Sequence, residues 1–116
     1  MSTPTPAVLE EELERARRRL SDEVDNLKES GTKYAQSRAR FKRGFAVECA
    51  MNKSRGESAA ASEQQALGEL KQEYGDYERD KILWETTKEI VRAKSAECNV
   101  IQTQLNARRQ EWNQTT

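Results

Sequence analysis

The chain reads as all-α, an elongated helical hairpin or three-helix, coiled-coil-like arrangement that self-associates, and three observations predict this. Trp84, Val91, Cys98, Leu105 and Trp112 recur at intervals of seven, so on one long helix they form a single stripe bounded at each end by an indole. Such a repeat keeps the same side of a slightly underwound helix toward its neighbour, each residue inserting as a knob among four of the partner. The second observation is composition. Only 34% of the 116 residues are hydrophobic and 34% are charged, with a mean hydropathy of -1.04, against roughly 45–50% apolar in ordinary globular domains. A compact single-chain core would be thin, whereas a hairpin with a narrow seam, or a protomer completed by its own copies, suits that composition. Third, the net charge is zero and the apolar spacing is periodic, which argues against disorder for most of the chain.

The expected layout is a flexible stretch over 1–6, one helical domain over 7–112 and a frayed tail over 113–116. Within the domain, helices are expected at about 7–29, 32–52 and 58–112. The first starts at Thr5-Pro6, an N-cap followed by proline at the first helical position, with Glu10, Glu11 and Glu12 near the positive end of the helix dipole. Leu9, Leu13, Ala16, Leu20, Val24 and Leu27 follow at steps of 4, 3, 4, 4 and 3, a helical stripe with one stutter. Ser30-Gly31 predicts a weak point or kink. The phase survives it, however, because steps of four and three from Leu27 land on Tyr34, and the helix resumes through Phe41, Phe45 and Cys49.

The hairpin turn is expected at Asn52-Lys53-Ser54-Arg55-Gly56-Glu57-Ser58, where glycine, serine and asparagine cluster after a long periodic segment. Ser58 can cap the next helix, which opens on Ala59-Ala60-Ala61 and carries Ala66, Leu67, Leu70, Tyr74 and Tyr77 on its apolar side. Gly75-Asp76 predicts a bend. The terminal stripe follows from Lys81 to about Trp112, and its companion positions Thr87, Lys94, Ile101 and Arg108 are mostly polar. Polar residues there can specify register or oligomer state, and intramolecular closure of the hairpin competes evenly with self-assembly. Trp84, Val91, Cys98, Ile101, Leu105 and Trp112 are the expected partner or oligomer interface, with Trp112 the best placed to contact something outside the chain.

Several classes of chemistry are disfavoured. The chain has no histidine, and Cys49 and Cys98 have no metal-ligand spacing, so zinc and histidine chemistry drop out. No glycine-rich phosphate loop is present, and neither thiol has an evident activating partner in the sequence. The four-spaced pairs Glu10/Glu14 and Glu85/Glu89 read as solvated helix faces. No enzyme activity, cofactor or metal is expected. Two thiols without a signal-like segment suggest a reducing compartment, the cytoplasm, and no apolar run approaches the roughly 20 residues that cross a bilayer.

Zero net charge conceals blocks of -3 over 1–31, +6 over 32–56, -5 over 57–80 and +2 over 81–116. In the basic block Lys33, Arg38, Arg40, Lys42, Arg43, Lys53 and Arg55 face one acid, Glu48, and alternate with Tyr34, Phe41 and Phe45. Cations that neutralise phosphates beside rings that stack on bases are the pattern of sequence-tolerant single-strand binding. Two other readings stand beside it. The acidic block can fold back so that Glu63, Glu69, Glu73 and Asp76 neutralise the cations and fix the hairpin's pairing, or the cations can serve an acidic protein partner. The helical spacing of Tyr34, Phe41 and Phe45 places them in a core, and a core ring cannot also stack on a base.

The helix start at Lys33-Tyr34-Ala35, the Lys53–Ser58 turn, the alanine-rich second helix and the closing Ile101-Gln102-Thr103-Gln104-Leu105 with Arg108 and Arg109 resemble the short helical early proteins of bacteriophages, and more loosely the UvsY-type recombination mediators. The resemblance covers about residues 30–112. It implies a small helical oligomer that binds single-stranded DNA and helps a recombinase load, in the host cytoplasm. The neutral charge, the acidic 57–80 block and the added N-terminal helix depart from that pattern. The sequence thus predicts a non-catalytic accessory or adaptor protein of DNA recombination or replication that binds single-stranded DNA, itself, and a recombination, replication or host protein. The alternative is a protein-only module, an inhibitor of a host protein or a particle or scaffold component, that uses the 84–112 stripe.

Overall fold

A computed structural model describes residues 3–115 and has three helices among them, α1 (Pro6–Ser54), α2 (Ala59–Glu69) and α3 (Lys71–Thr115). The fold is all-α, with no strand among the described residues. Thr5 caps α1 as its residue type predicts: its carbonyl oxygen accepts the Leu9 N–H at 3.1 Å and its Oγ1 the Val8 N–H at 3.4 Å. Proline at the next position forfeits an N–H that would have had no partner.

The chain divides into two compact units where a single domain was expected. Unit I joins the described residues up to Leu27 with those from Thr87 onward. Leu9, Leu13 and Ala16 of α1 meet Cys98, Ile101 and Leu105 of α3, and Leu20 packs against this cluster. Leu105 is 1% exposed. Polar contacts flank the seam: Arg109 donates to Glu10 at 2.7 Å, Arg17 to Gln102 at 3.1 Å and Arg19 to Glu97 at 3.2 Å. Rising numbers on α1 meet falling numbers on α3, so the helices run antiparallel.

Unit II spans Lys28–Thr86 and has an aromatic core. Tyr34 stacks on Trp84 at 5.0 Å between ring centroids and on Tyr77 at 5.7 Å; Phe41 stacks on Tyr77 at 5.6 Å and meets Tyr74 at 5.2 Å and Phe45 at 5.8 Å. Offset and tilted rings at these separations gain beyond the area they bury. The turn out of α1 uses Gly56 at φ +90, a left-handed conformation open to a residue without Cβ. The Asn52 carbonyl oxygen accepts the Arg55 and Glu57 N–H groups, both at 3.2 Å, and the Asn52 amide donates to the Ser62 carbonyl oxygen, also at 3.2 Å. Ser58 then caps α2, its Oγ accepting the Ala61 N–H at 3.2 Å.

Four expectations about element limits are corrected. Ser30-Gly31 is no break, because α1 passes through it without interruption. Gly31 lies within 3.3–3.5 Å of the Trp84 ring, measured from where its Cβ would stand, so glycine there makes room for an indole. The bend expected at Gly75 is absent, and the interruption lies at Leu70, whose φ of -108 and ψ of 30 separate α2 from α3. The dislocation is small, since Leu70 N–H still donates to Ala66 O at 3.0 Å and Leu70 O accepts the Tyr74 N–H at 2.9 Å. At the termini, α1 begins at Pro6, inside the stretch expected to be flexible, and α3 runs to Thr115 through most of the expected tail. Met1, Ser2 and Thr116 lie outside the described residues.

Candidate nucleic-acid interface

The seven predicted cations all face solvent on the second half of α1 and the turn that follows. At 3.6 residues per turn, Tyr34, Phe41 and Phe45 point to the core, and most of the cations flank that direction on two sides. Lys33 and Arg40 lie on one flank, Arg38, Lys42 and Lys53 on the other, and Arg43 opposite the core, with Arg55 in the turn. The structure therefore does not gather the seven into one stripe. It does bring Arg40 and Arg43 together, on a groove of about 530 Å³ that Gln36, Val47, Glu48 and Leu70 also line.

The predicted pairing with the acidic block is not what the geometry has. Among the described residues no ion pair within 4 Å joins Glu63, Glu69, Glu73 or Asp76 to the basic block; Asp76 pairs with Arg79 at 3.3 Å in its own helix. Lys33 pairs with Glu29 one turn back, at 3.5 Å. Arg38, Arg40, Lys42, Arg43, Lys53 and Arg55 enter no ion pair among the described residues. Elsewhere, Arg18, Arg19, Arg79, Arg92, Lys94, Arg108 and Arg109 are ion-paired, whereas Arg15, Arg17, Lys28, Lys71 and Lys81 enter no ion pair among the described residues; the basic block differs in holding its unpaired cations together with a single acid.

The rings interleaved with these cations are committed to the core of unit II. Phe41 is 6% exposed. The Tyr34 phenol is raised above its ordinary 10.0, first by its hydrogen bond with Tyr77 and then by burial, while the charges of Lys81 and Arg38 pull the other way. Base stacking on Tyr34, Phe41 and Phe45 is thereby removed from the single-strand pattern, and phosphate contact remains. Sequence reading did not single out Gln36 and Val47. A signal was available: Gln36, Arg40, Arg43 and Val47 follow at steps of 4, 3 and 4, one stripe along α1.

The predicted partner interface is largely consumed within the chain. Cys98, Ile101 and Leu105 pack on α1 in unit I, Trp84 stacks on Tyr34 in unit II, and Val91 is half-buried. The seven-residue stripe does meet another helix, and that helix is α1. Lys94 and Arg108, the cations at companion positions, lie along the seam half-buried and reach out to Glu97 at 3.8 Å and Glu111 at 2.7 Å, as long side chains do when the stem is covered and the head is wet. Trp112 differs. It is 58% exposed and borders a groove of about 340 Å³ with Thr5, Pro6, Ala7, Glu10, Arg109 and Asn113.

Among the described residues, no group of three or more cysteine, aspartate or glutamate side chains could hold a metal ion, and no helix is long and apolar enough to cross a membrane. No family model matches the chain, and no curated protein or solved structure matches it either.

Proposed function

We propose that this chain is a non-catalytic helical accessory protein that binds nucleic acid, single-stranded DNA foremost, through the phosphates, using Arg38, Arg40, Lys42, Arg43, Lys53 and Arg55. The observation that carries the reading is that these six exposed cations have no ion pair, while the same segment holds a single carboxylate, Glu48. A cluster of unneutralised cations carries a repulsive self-energy that a polyanion relieves, with release of the polyanion's own counterions. In the phage setting that the resemblance implies, such a protein serves recombination or replication in the host cytoplasm, acting as an oligomer beside a recombinase.

The test is a salt titration of binding to a labelled single strand. Each phosphate neutralised on a single strand contributes a slope of about -0.7 in log K against log salt, so six contacts give about -4. Arg40→Gln with Arg43→Gln should make that slope shallower by about 1.4. A flat salt response, or a double variant that binds like the parent, would sink the reading. A protein partner is the second reading, and exposed Trp112 beside its groove is what favours it. Trp112→Ala serves as the control, because it leaves strand binding unchanged if the cations of the basic segment alone carry it.

A further inference from the structure

We infer that the groove beside Arg40 and Arg43 seats an unstacked nucleobase, so that this face takes single strands in preference to duplexes. The inference rests on the phosphate-binding reading above and concerns the part of the ligand that phosphate contacts ignore. The composition of the groove points to a base. Ala39, Gly44, Val47 and Leu70 supply apolar walls, two guanidinium groups stand at its side, and Gln36 and Glu48 complete the lining. At about 530 Å³ it lies within the roughly 300–1,000 Å³ of small-molecule sites, which likewise combine apolar walls with a few polar groups.

Phosphates do not require such a recess. Surface cations such as Arg38, Lys42, Lys53 and Arg55 satisfy them. Two arginines beside an apolar hollow fit a ligand that joins an anion to a flat, weakly solvated ring with hydrogen-bonding edges, which describes one nucleotide of an unpaired strand. Guanidinium planes stack on bases as well as pairing with phosphates. The Gln36 amide has donors and an acceptor, and the Glu48 carboxylate has acceptors, for the edge of the base. Glu48 also gives a reason for the one acid in a basic segment: its carboxylate can accept a base N–H, including the ring imide N–H of thymine, and repels a phosphate. Gly44 helps keep the hollow in shape, because a Cβ there would stand 3.2 Å from Leu70 Cδ2 and press on one wall. In a duplex both faces of each base are covered by stacking, and exposing one costs free energy that a single strand does not spend.

The experiment compares three labelled oligonucleotides of equal length by fluorescence anisotropy: oligo-dT, a strand with the same backbone but abasic sites, and a duplex. Oligo-dT should bind about tenfold or more tighter than the abasic strand, which is the order expected of one or more seated bases, and tighter than the duplex. Val47 is 53% exposed, so Val47→Asn should fold normally. It should reduce the preference for oligo-dT over the abasic strand to about threefold or less, with the abasic strand's affinity unchanged. Equal, salt-sensitive binding of oligo-dT and the abasic strand would overturn the seated base and leave the phosphate reading standing. A duplex bound as tightly as oligo-dT would do the same. Failure of all three to bind at low salt would overturn both.

Discussion

Gly31 and Gly75 are the same residue type inside long helices, and their surroundings give them opposite roles. A Cβ at Gly31 would approach Trp84 Nε1 to 3.3 Å, and the indole is held by its stack on Tyr34, whereas a Cβ at Gly75 would meet nothing within 4 Å. Glycine costs about 1 kcal/mol relative to alanine in a helix interior. Gly75→Ala should therefore raise the unfolding free energy by up to about 1 kcal/mol, while Gly31→Ala should lower the urea midpoint despite the same gain in propensity. Equal upward shifts would mean that the indole yields freely. This pair also marks a limit of legibility. Thr5, Gly56 and Ser58 were readable because caps and turns are local chemistry, but whether a glycine breaks a helix or admits a ring depends on a residue more than fifty positions away.

At the scale of elements, the heptad of α3 was legible as a face and illegible as a partnership. Spacing shows that Cys98, Ile101 and Leu105 share one side; it does not say whether α1 of the same chain or of another copy covers them. The break between α2 and α3 was misplaced for a related reason. Leu70 belongs to no breaker class, and its departure from helical geometry leaves the flanking backbone hydrogen bonds in place. The turn before α2 gives the sharpest test at this scale. Asn52, 1% exposed, ties the end of α1 to α2, whereas Ser62, 0% exposed, has a hydroxyl oxygen without a hydrogen-bond partner. Asn52→Ala should cost about 0.5–1.5 kcal/mol, because it removes the buried hydrogen bond from α1 to the Ser62 carbonyl, which keeps its helical donor within α2, and Ser62→Ala should be neutral or stabilising in the same denaturation series. Ser62→Ala costing as much as Asn52→Ala would show that the hydroxyl is satisfied after all.

For the whole molecule, the charge blocks were plain in the sequence and their pairing was not. Composition located the six cations; only geometry shows that the acidic block makes no ion pair with them and that Tyr34 and Phe41 are held by Tyr74, Tyr77 and Trp84, with Phe45 against Phe41. The groove at Arg40 and Arg43 needed Leu70, thirty positions downstream of Arg40, to acquire a wall. The two units differ in the kind of core that holds them, aliphatic in one and aromatic in the other.

Each unit also contains one of the two cysteines, Cys98 buried in unit I and Cys49 half-buried in unit II. The chain thus carries a built-in clock for the opening of each, since a thiol reacts with an alkylating reagent only when it is exposed and ionised. Leu105→Ala removes a fully buried side chain from the packing around Cys98, at a cost of about 2–5 kcal/mol. Alkylation of Cys98 should accelerate in that variant while Cys49 keeps its parental rate, and mass spectrometry of the labelled peptides distinguishes the two. Equal acceleration at both thiols would mean that the units open as one, and a ligand on the basic segment would then slow both clocks together.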